Sequence, residues 1–155
     1  SDWGNMEKLY FEDINVGDAF TGAKVLVEPE TMIVFAKEYD NQPMHTDPAA
    51  ARAMGLEGVI ASGAYTFALG TKSTSAIWEQ LHFLPSGLGF QMSFVRPALG
   101  GDELQAHVEI ISKRESRDPS RGVLGIKSTL RNQQGVSVLD IENVWLLRTK
   151  KEKQS

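Results

Sequence analysis

A segment that reads as one long helix, residues 63–82, is built largely from small side chains: Gly63, Ala64, Ala68, Gly70, Ser73 and Ala76. Glycine inside a helix costs about 1 kcal/mol relative to alanine, so such a rod is favoured where something packs closely around it. Tyr65, Phe67, Leu69, Ile77, Trp78 and Leu81 give it apolar surface. At the helical rise it measures roughly 30 Å, the breadth of a small domain. The chain beyond this helix is β in pattern. Phe90, Met92 and Phe94 alternate with Gln91 and Ser93, and Leu104, Ala106, Val108 and Ile110 alternate with Gln105, His107 and Glu109. Leu124, Ile126, Ser128 and Leu130 make a third strand, and residues 136–148 a fourth, with Leu139, Ile141, Trp145 and Leu147 on one face. Arg96-Pro97, the polar run 117–122 and the turn-forming run 132–135 separate them. Strands joined by such short connections predict an antiparallel meander with the helix covering one face. A sheet curled around that helix is the economical arrangement, so the fold class is α+β.

The chain before the helix carries its chemistry in one stretch. Residues 10–18 (YFEDINVGD) form a lead-in loop, residues 19–28 a first strand, and Pro29 suits a first helical position. Met32, Phe35, Ala36 and Tyr39 then recur at helical spacing. Residues 39–48 read YDNQPMHTDP, with an acid, Asp40, and an imidazole, His45, five positions apart. In a continuous helix those side chains would face different ways. Pro43 forbids that helix and pushes Gln42 toward extended geometry. The helix therefore ends near Asp40 and the chain folds back, which can set carboxylate beside imidazole, the pairing that general acid–base chemistry needs. The same residues also suit a plain turn. Asp47 and Pro48 fit the cap and first residue of a short helix to residue 54. The apolar residues 59–61 lead to Ser62, an N-cap for the long helix.

Size and charge narrow the function. A chain of 155 residues supports one core; residues 1–9 are read as an extension, partly vector-encoded, residues 10–149 as one domain and 150–155 as a charged tail. Net charge of −4 and a pI near 5.4 argue against a nucleic-acid or anionic-membrane binder. Without cysteine there is no disulfide, thiolate metal site or cysteine nucleophile. No apolar run reaches the roughly 20 residues of a membrane span, and a cytoplasmic location is expected. The three histidines lack metal-ligand spacing, so no metal is expected. His107 is read on the polar face of its strand, and His82 near a helix end where a cation is favoured.

With these elements in place the chain resembles the MaoC-like dehydratases and (R)-specific enoyl-CoA hydratases over nearly its whole length. The resemblance rests on three blocks in order: Asp40, Gln42-Pro43, His45 and Asp47; Ile60-Ala61-Ser62-Gly63; and Arg96-Pro97 with Gly101-Asp102. Lys113-Arg114-Glu115-Ser116 is also similar. It departs at Tyr39, where the family often has Gly, and at Gln42, where it has Asn; with Pro43 these are candidates for shaping the pocket. The family implies a hot-dog fold, a curved antiparallel sheet wrapped around a long central helix.

The resemblance implies reversible addition of water to a 2-enoyl thioester. Asp40 and His45 would hold the water between them, and the Gly63 N–H, at the positive end of the long helix, would hold the enolate-like oxygen. Ser62 would sit beside the pair; as read from sequence it is equally a plain N-cap, and Gly63 equally a glycine because the sheet passes close. The partner would be an acyl-CoA or acyl-carrier-protein thioester, with no cofactor beyond coenzyme A as part of the substrate. Homodimers, or higher homo-oligomers, are implied. Lys113, Arg114, Arg117 and Arg121 are a solvated turn, with contact to coenzyme A phosphates as the other reading. A thioesterase on the same fold and a non-catalytic acyl-thioester-binding or dimerisation module are the alternatives.

Overall fold

The structure, a computed structural model, describes residues 7–85 and 89–151. Residues 1–6 and 152–155, most of the expected extension and tail, lie outside them. Strand β1 (Ala19–Leu26) is followed by α1 (Pro29–Tyr39), whose Met32 and Ala36 are buried. Asp40 is its C-cap, with the backbone N–H still donating to the Ala36 carbonyl at 2.8 Å. Where the sequence predicts only a fold-back, Pro43 opens a one-turn helix, α2 (Pro43–Thr46), because its fixed φ suits a first helical position. Asp47 caps α3 (Pro48–Ala53), its Oδ1 accepting from the Ala49 and Ala50 N–H groups at 2.9 and 3.4 Å.

The long helix α4 (Gly63–Trp78) stops short of residue 82. Its continuation is claimed by tertiary pairing: the Leu9 N–H donates to the Gln80 carbonyl and the His82 N–H to the Leu9 carbonyl, both at 2.9 Å. Two short strands come next, β2 (Phe83–Leu84) and β3 (Gln91–Phe94), then the long β4 (Glu103–Glu115), β5 (Arg121–Arg131) and β6 (Ser137–Arg148). The sheet order is β1-β4-β5-β6, with β2 and β3 both on the outer side of β6. Only β4, β5 and β6 form the expected meander; β3 pairs with β6 and not with β4. The connection between β3 and β4 cannot be a hairpin, because its backbone is bonded elsewhere. Ala98 accepts from the Ala61 N–H, Gly101 donates to the Val27 carbonyl, and Leu99 bridges Ile60. It thus ties the approach to α4 to the end of β1.

The curled antiparallel sheet holds α4 against its inner face. Ser73 is the fastening: its hydroxyl donates to the Ala23 carbonyl at 2.5 Å and accepts from the Ala106 N–H at 2.9 Å. Ala23 lies in a bulge of β1, and a Cβ on the neighbouring Gly22 would run into Ser73. Close approach therefore accounts for Gly22 and Ser73. It does not account for Gly70, where a Cβ would make ordinary contact with Leu130 at 3.6 Å. One core cluster, including Val25, Met32, Leu69, Leu104 and Leu139, lies toward the start of α4; a second, including Ile14, Ile77, Leu124 and Leu147, lies toward its end.

Candidate active site

Capping and proline geometry bring Asp40 and His45 together. Asp40 stands at the end of α1 and His45 on α2, and His45 Nε2 lies 3.5 Å from Asp40 Oδ2. His45 is almost wholly buried while about a third of the Asp40 side chain, 32%, is exposed, so the pair is backed by protein and open on the carboxylate side. The imidazole is pinned from behind: Nδ1 lies 2.9 Å from the Ile60 carbonyl. A carbonyl oxygen can only accept, so Nδ1 carries the hydrogen and Nε2 is the nitrogen turned toward Asp40. The carboxylate is held in turn by Gln42, whose Nε2 donates to Asp40 Oδ1 at 2.6 Å. In the neutral imidazole, Nε2 and the carboxylate oxygen are both acceptors. A shared proton, or one water donating to both, satisfies them.

Ser62 is fully buried and caps α4, accepting from the Tyr65 N–H at 3.2 Å; its hydroxyl makes no bond to Asp40 or His45. Gly63 is the first residue of α4, and nothing among the described residues accepts from its N–H, as expected at a helix start. A Cβ on Gly63 would stand 3.0 Å from the Phe94 ring of β3, so the sheet does pass close there. Pro43 fixes the start of α2, while Tyr39 is exposed with its ring leaning on Phe35 at 5.0 Å.

Two groups take places in this arrangement that the linear pattern does not show. Ile60 acts through its backbone carbonyl, which any residue type would supply. Arg96 lines a cleft of about 370 Å³ with Ile60, Leu99 and Gln133, and has no ion pair among the described residues; the Arg-Pro block marks it, but nothing in sequence sets it beside Ile60, whose carbonyl holds His45. The other cations divide. Lys113 Nζ donates to the Ile14 carbonyl at 2.7 Å and lies over the Phe11 ring, so it braces the fold. Arg114 and Arg117 are exposed, and Arg121 faces Asp118 at 3.6 Å. They lie at the far end of β4 from the dyad, roughly 40 Å of extended chain away.

The remaining histidines differ in setting. His107 lies on the outer face of β4 between buried Ala106 and Val108, as its alternation predicts. Burial, then Arg131, holds it below the ordinary imidazole value of 6.5. His82 is not a helix-end cation. It stacks on Tyr10 at 3.9 Å, and burial, then Lys8 and Arg148, holds it below 6.5 as well. Both pKa values are depressed in the fold, so the unfolded chain binds more protons below pH 6.5. Their contribution to stability is complete above 6.5 and is lost as pH falls through the lowered folded values. Thermal melts should show Tm falling from neutral pH to about pH 5, with a shallower fall in His107→Gln; an identical slope in that variant would assign the effect to carboxylates instead.

Comparison with known proteins bears on this geometry. A family model described as MaoC like domain matches residues 14–132. An uncharacterised protein of Bacillus subtilis, YdeM, is 29% identical over 139 residues, covering 86% of this chain and 95% of that protein. A MaoC-like dehydratase from Rhodospirillum rubrum superposes with a TM-score of 0.80 at 29% identity, over 93% of this chain and 99% of the other. The (R)-hydratase from A. caviae involved in PHA biosynthesis has the same fold, with a TM-score of 0.68 at 23% identity over 86% and 97% of the two chains. By the match to most of its length, and by the hot-dog fold that it shares with these structures, this chain belongs to the MaoC-like domain family.

Proposed function

We propose that the protein is a hydratase/dehydratase that adds water reversibly across the double bond of a 2-enoyl thioester, with coenzyme A or an acyl-carrier protein as the thiol. The observation that carries this reading is the Asp40–His45 pair, 3.5 Å apart, with His45 fixed through Nδ1 on the Ile60 carbonyl and Asp40 partly open to solvent. One water bonded to both groups loses a proton to the pair as its oxygen bonds to the β-carbon. The pair returns a proton to the α-carbon, so atoms balance and nothing is oxidised. The negative charge that develops meanwhile on the thioester oxygen is met by the Gly63 N–H at the start of α4. A panel of short, branched and dicarboxylic enoyl-CoA esters tests the reading through loss of the conjugated enoyl absorbance. Release of free thiol in its place would identify a thioesterase.

The enzyme works as a homodimer in this reading. Among the described residues strand β3 is hydrogen-bonded on one side only, to β6, and its neighbourhood exposes Phe90, Phe94 and Val95. An unpaired strand edge with apolar flanks is a template for a second copy. Sedimentation should give twice the chain mass, and Val95→Lys should shift it toward the monomer; a wild-type monomer at micromolar concentration would refute the dimer.

A further inference from the structure

The extended segment that leads into α4 has different neighbours on its two edges. Ile60 turns its backbone to α2: its N–H donates to the Met44 carbonyl at 3.1 Å, and its carbonyl accepts from His45 Nδ1 at 2.9 Å. Ala61 turns the other way, its N–H donating to the Ala98 carbonyl at 2.8 Å, as the alternation of a paired extended chain requires. The dyad therefore stands on one side of this approach, and the chain that leaves β3 on the other. Gly63 follows directly, and from the β3 side it is met by Phe94. A Cβ on Gly63 would stand 3.0 Å from Cζ of that ring and 3.3 Å from each Cε, so the ring presents its tip. The sheet holds it there. Phe94 pairs with Leu139 of β6, and the next residue, Val95, donates to the Val138 carbonyl at 3.0 Å. Met92, on the same face of β3, packs against the core, while Phe94 is half-exposed, so its ring is a wall and not part of the interior.

A thioester whose oxygen sits on the Gly63 N–H has to turn its α- and β-carbons toward Asp40 and His45, because both protons pass through that pair. Its other face is then turned to Phe94. The planar enoyl group fits between the two. Hydration changes the shape of the α-carbon: a proton arriving from the dyad side bends the other substituents away from the dyad, toward the ring. A hydrogen there is tolerated. A methyl group is driven onto a ring tip that already leaves too little room for a Cβ on Gly63. We propose that Phe94 is a specificity-determining residue that backs the enoyl group opposite the dyad and selects thioesters bearing hydrogen, not alkyl, at the α-carbon. This rests on the thioester reading and names the substrate class within it.

Binding without turnover gives the first test. Butanoyl- and 2-methylpropanoyl-pantetheine are isomers with no double bond, and pantetheine is common to coenzyme A and acyl-carrier protein. The Gly63 amide resonance of ¹⁵N-labelled full-length protein should shift saturably with both, about tenfold more tightly with the unbranched ester. Phe94→Leu, which draws the tip back and stays apolar, should close that gap. Equal affinities in the wild type, or no shift with either ester, would overturn the proposal. A gap that closes in Phe94→Leu, in a protein that hydrates no enoyl ester, would uphold the role of Phe94 and reject the hydratase reading. Turnover gives the second test. The ratio of kcat/KM for but-2-enoyl- over 2-methylbut-2-enoyl-pantetheine should fall about tenfold from wild type to Phe94→Leu. The intrinsic slowness of the methylated ester is common to both proteins and cancels, and a merely structural role would slow both esters alike. A ratio unmoved while the but-2-enoyl ester is still hydrated would overturn the role of Phe94 and leave the hydratase reading standing.

Discussion

Asp40→Asn and His45→Gln should each lower hydration of an enoyl-CoA ester by roughly 10²–10⁴-fold, the range for losing a positioned acid or base. The fold should remain. Asp40 lies at the end of α1 with about a third of its side chain exposed, and the amide of Asn can still accept from Gln42. In His45→Gln the new side chain keeps a donor for the Ile60 carbonyl, the bond that fixes this position from behind. Because the two groups share one water in this mechanism, the double variant should be scarcely slower than the worse single one, as for residues that act as a unit. Initial rates from the fall in enoyl absorbance, with melting curves beside them, give the answer. If either single variant keeps near-full activity with an unchanged Tm, the dyad assignment is wrong. Gln42→Ala should cost less than either, since it only orients the carboxylate.

The second large effect concerns the Gly63 N–H, and the structure dictates how to isolate it. A bulky residue at 63 would strike the Phe94 ring, where a Cβ already stands at 3.0 Å, so a slow Gly63→Val enzyme would not tell a lost hydrogen bond from a displaced strand. Shortening Phe94 first removes the collision. Against Phe94→Ala as parent, Gly63→Ala keeps the N–H and Gly63→Pro deletes it. Proline is tolerated there because 63 is the first residue of α4. Ser62 before it already has the extended backbone that proline requires, at φ −61° and ψ 153°. The alanine double variant should stay within a few-fold of its parent, while the proline one should lose about 10²–10³ in kcat, the usual consequence of removing an oxyanion donor. Equal rates for the two would remove the N–H from the mechanism and leave Gly63 as a packing glycine.

The local chemistry of this chain was legible from its residues. Pro29, Pro48, Asp47 and Ser62 place helix starts within a residue or so, because caps and fixed φ act over one turn and need nothing distant. The fold-back at Pro43 that sets Asp40 against His45 is of the same kind, and so is the α+β class, which comes from periodicity. What the linear pattern missed was decided by remote partners. Alternation shows that β3 is a strand, yet it has no bearing on whether β4 or β6 receives it. The bonds of Ala98 and Gly101 to Ala61 and Val27 settle that. The helix ends at Trp78 because Leu9 takes the backbone of Gln80 and His82. The carbonyl that orients His45 belongs to Ile60, 15 residues further along the chain. Neighbouring residues set dihedral preferences and faces; long-range pairing, whose energy depends on which surfaces meet, chose the partners.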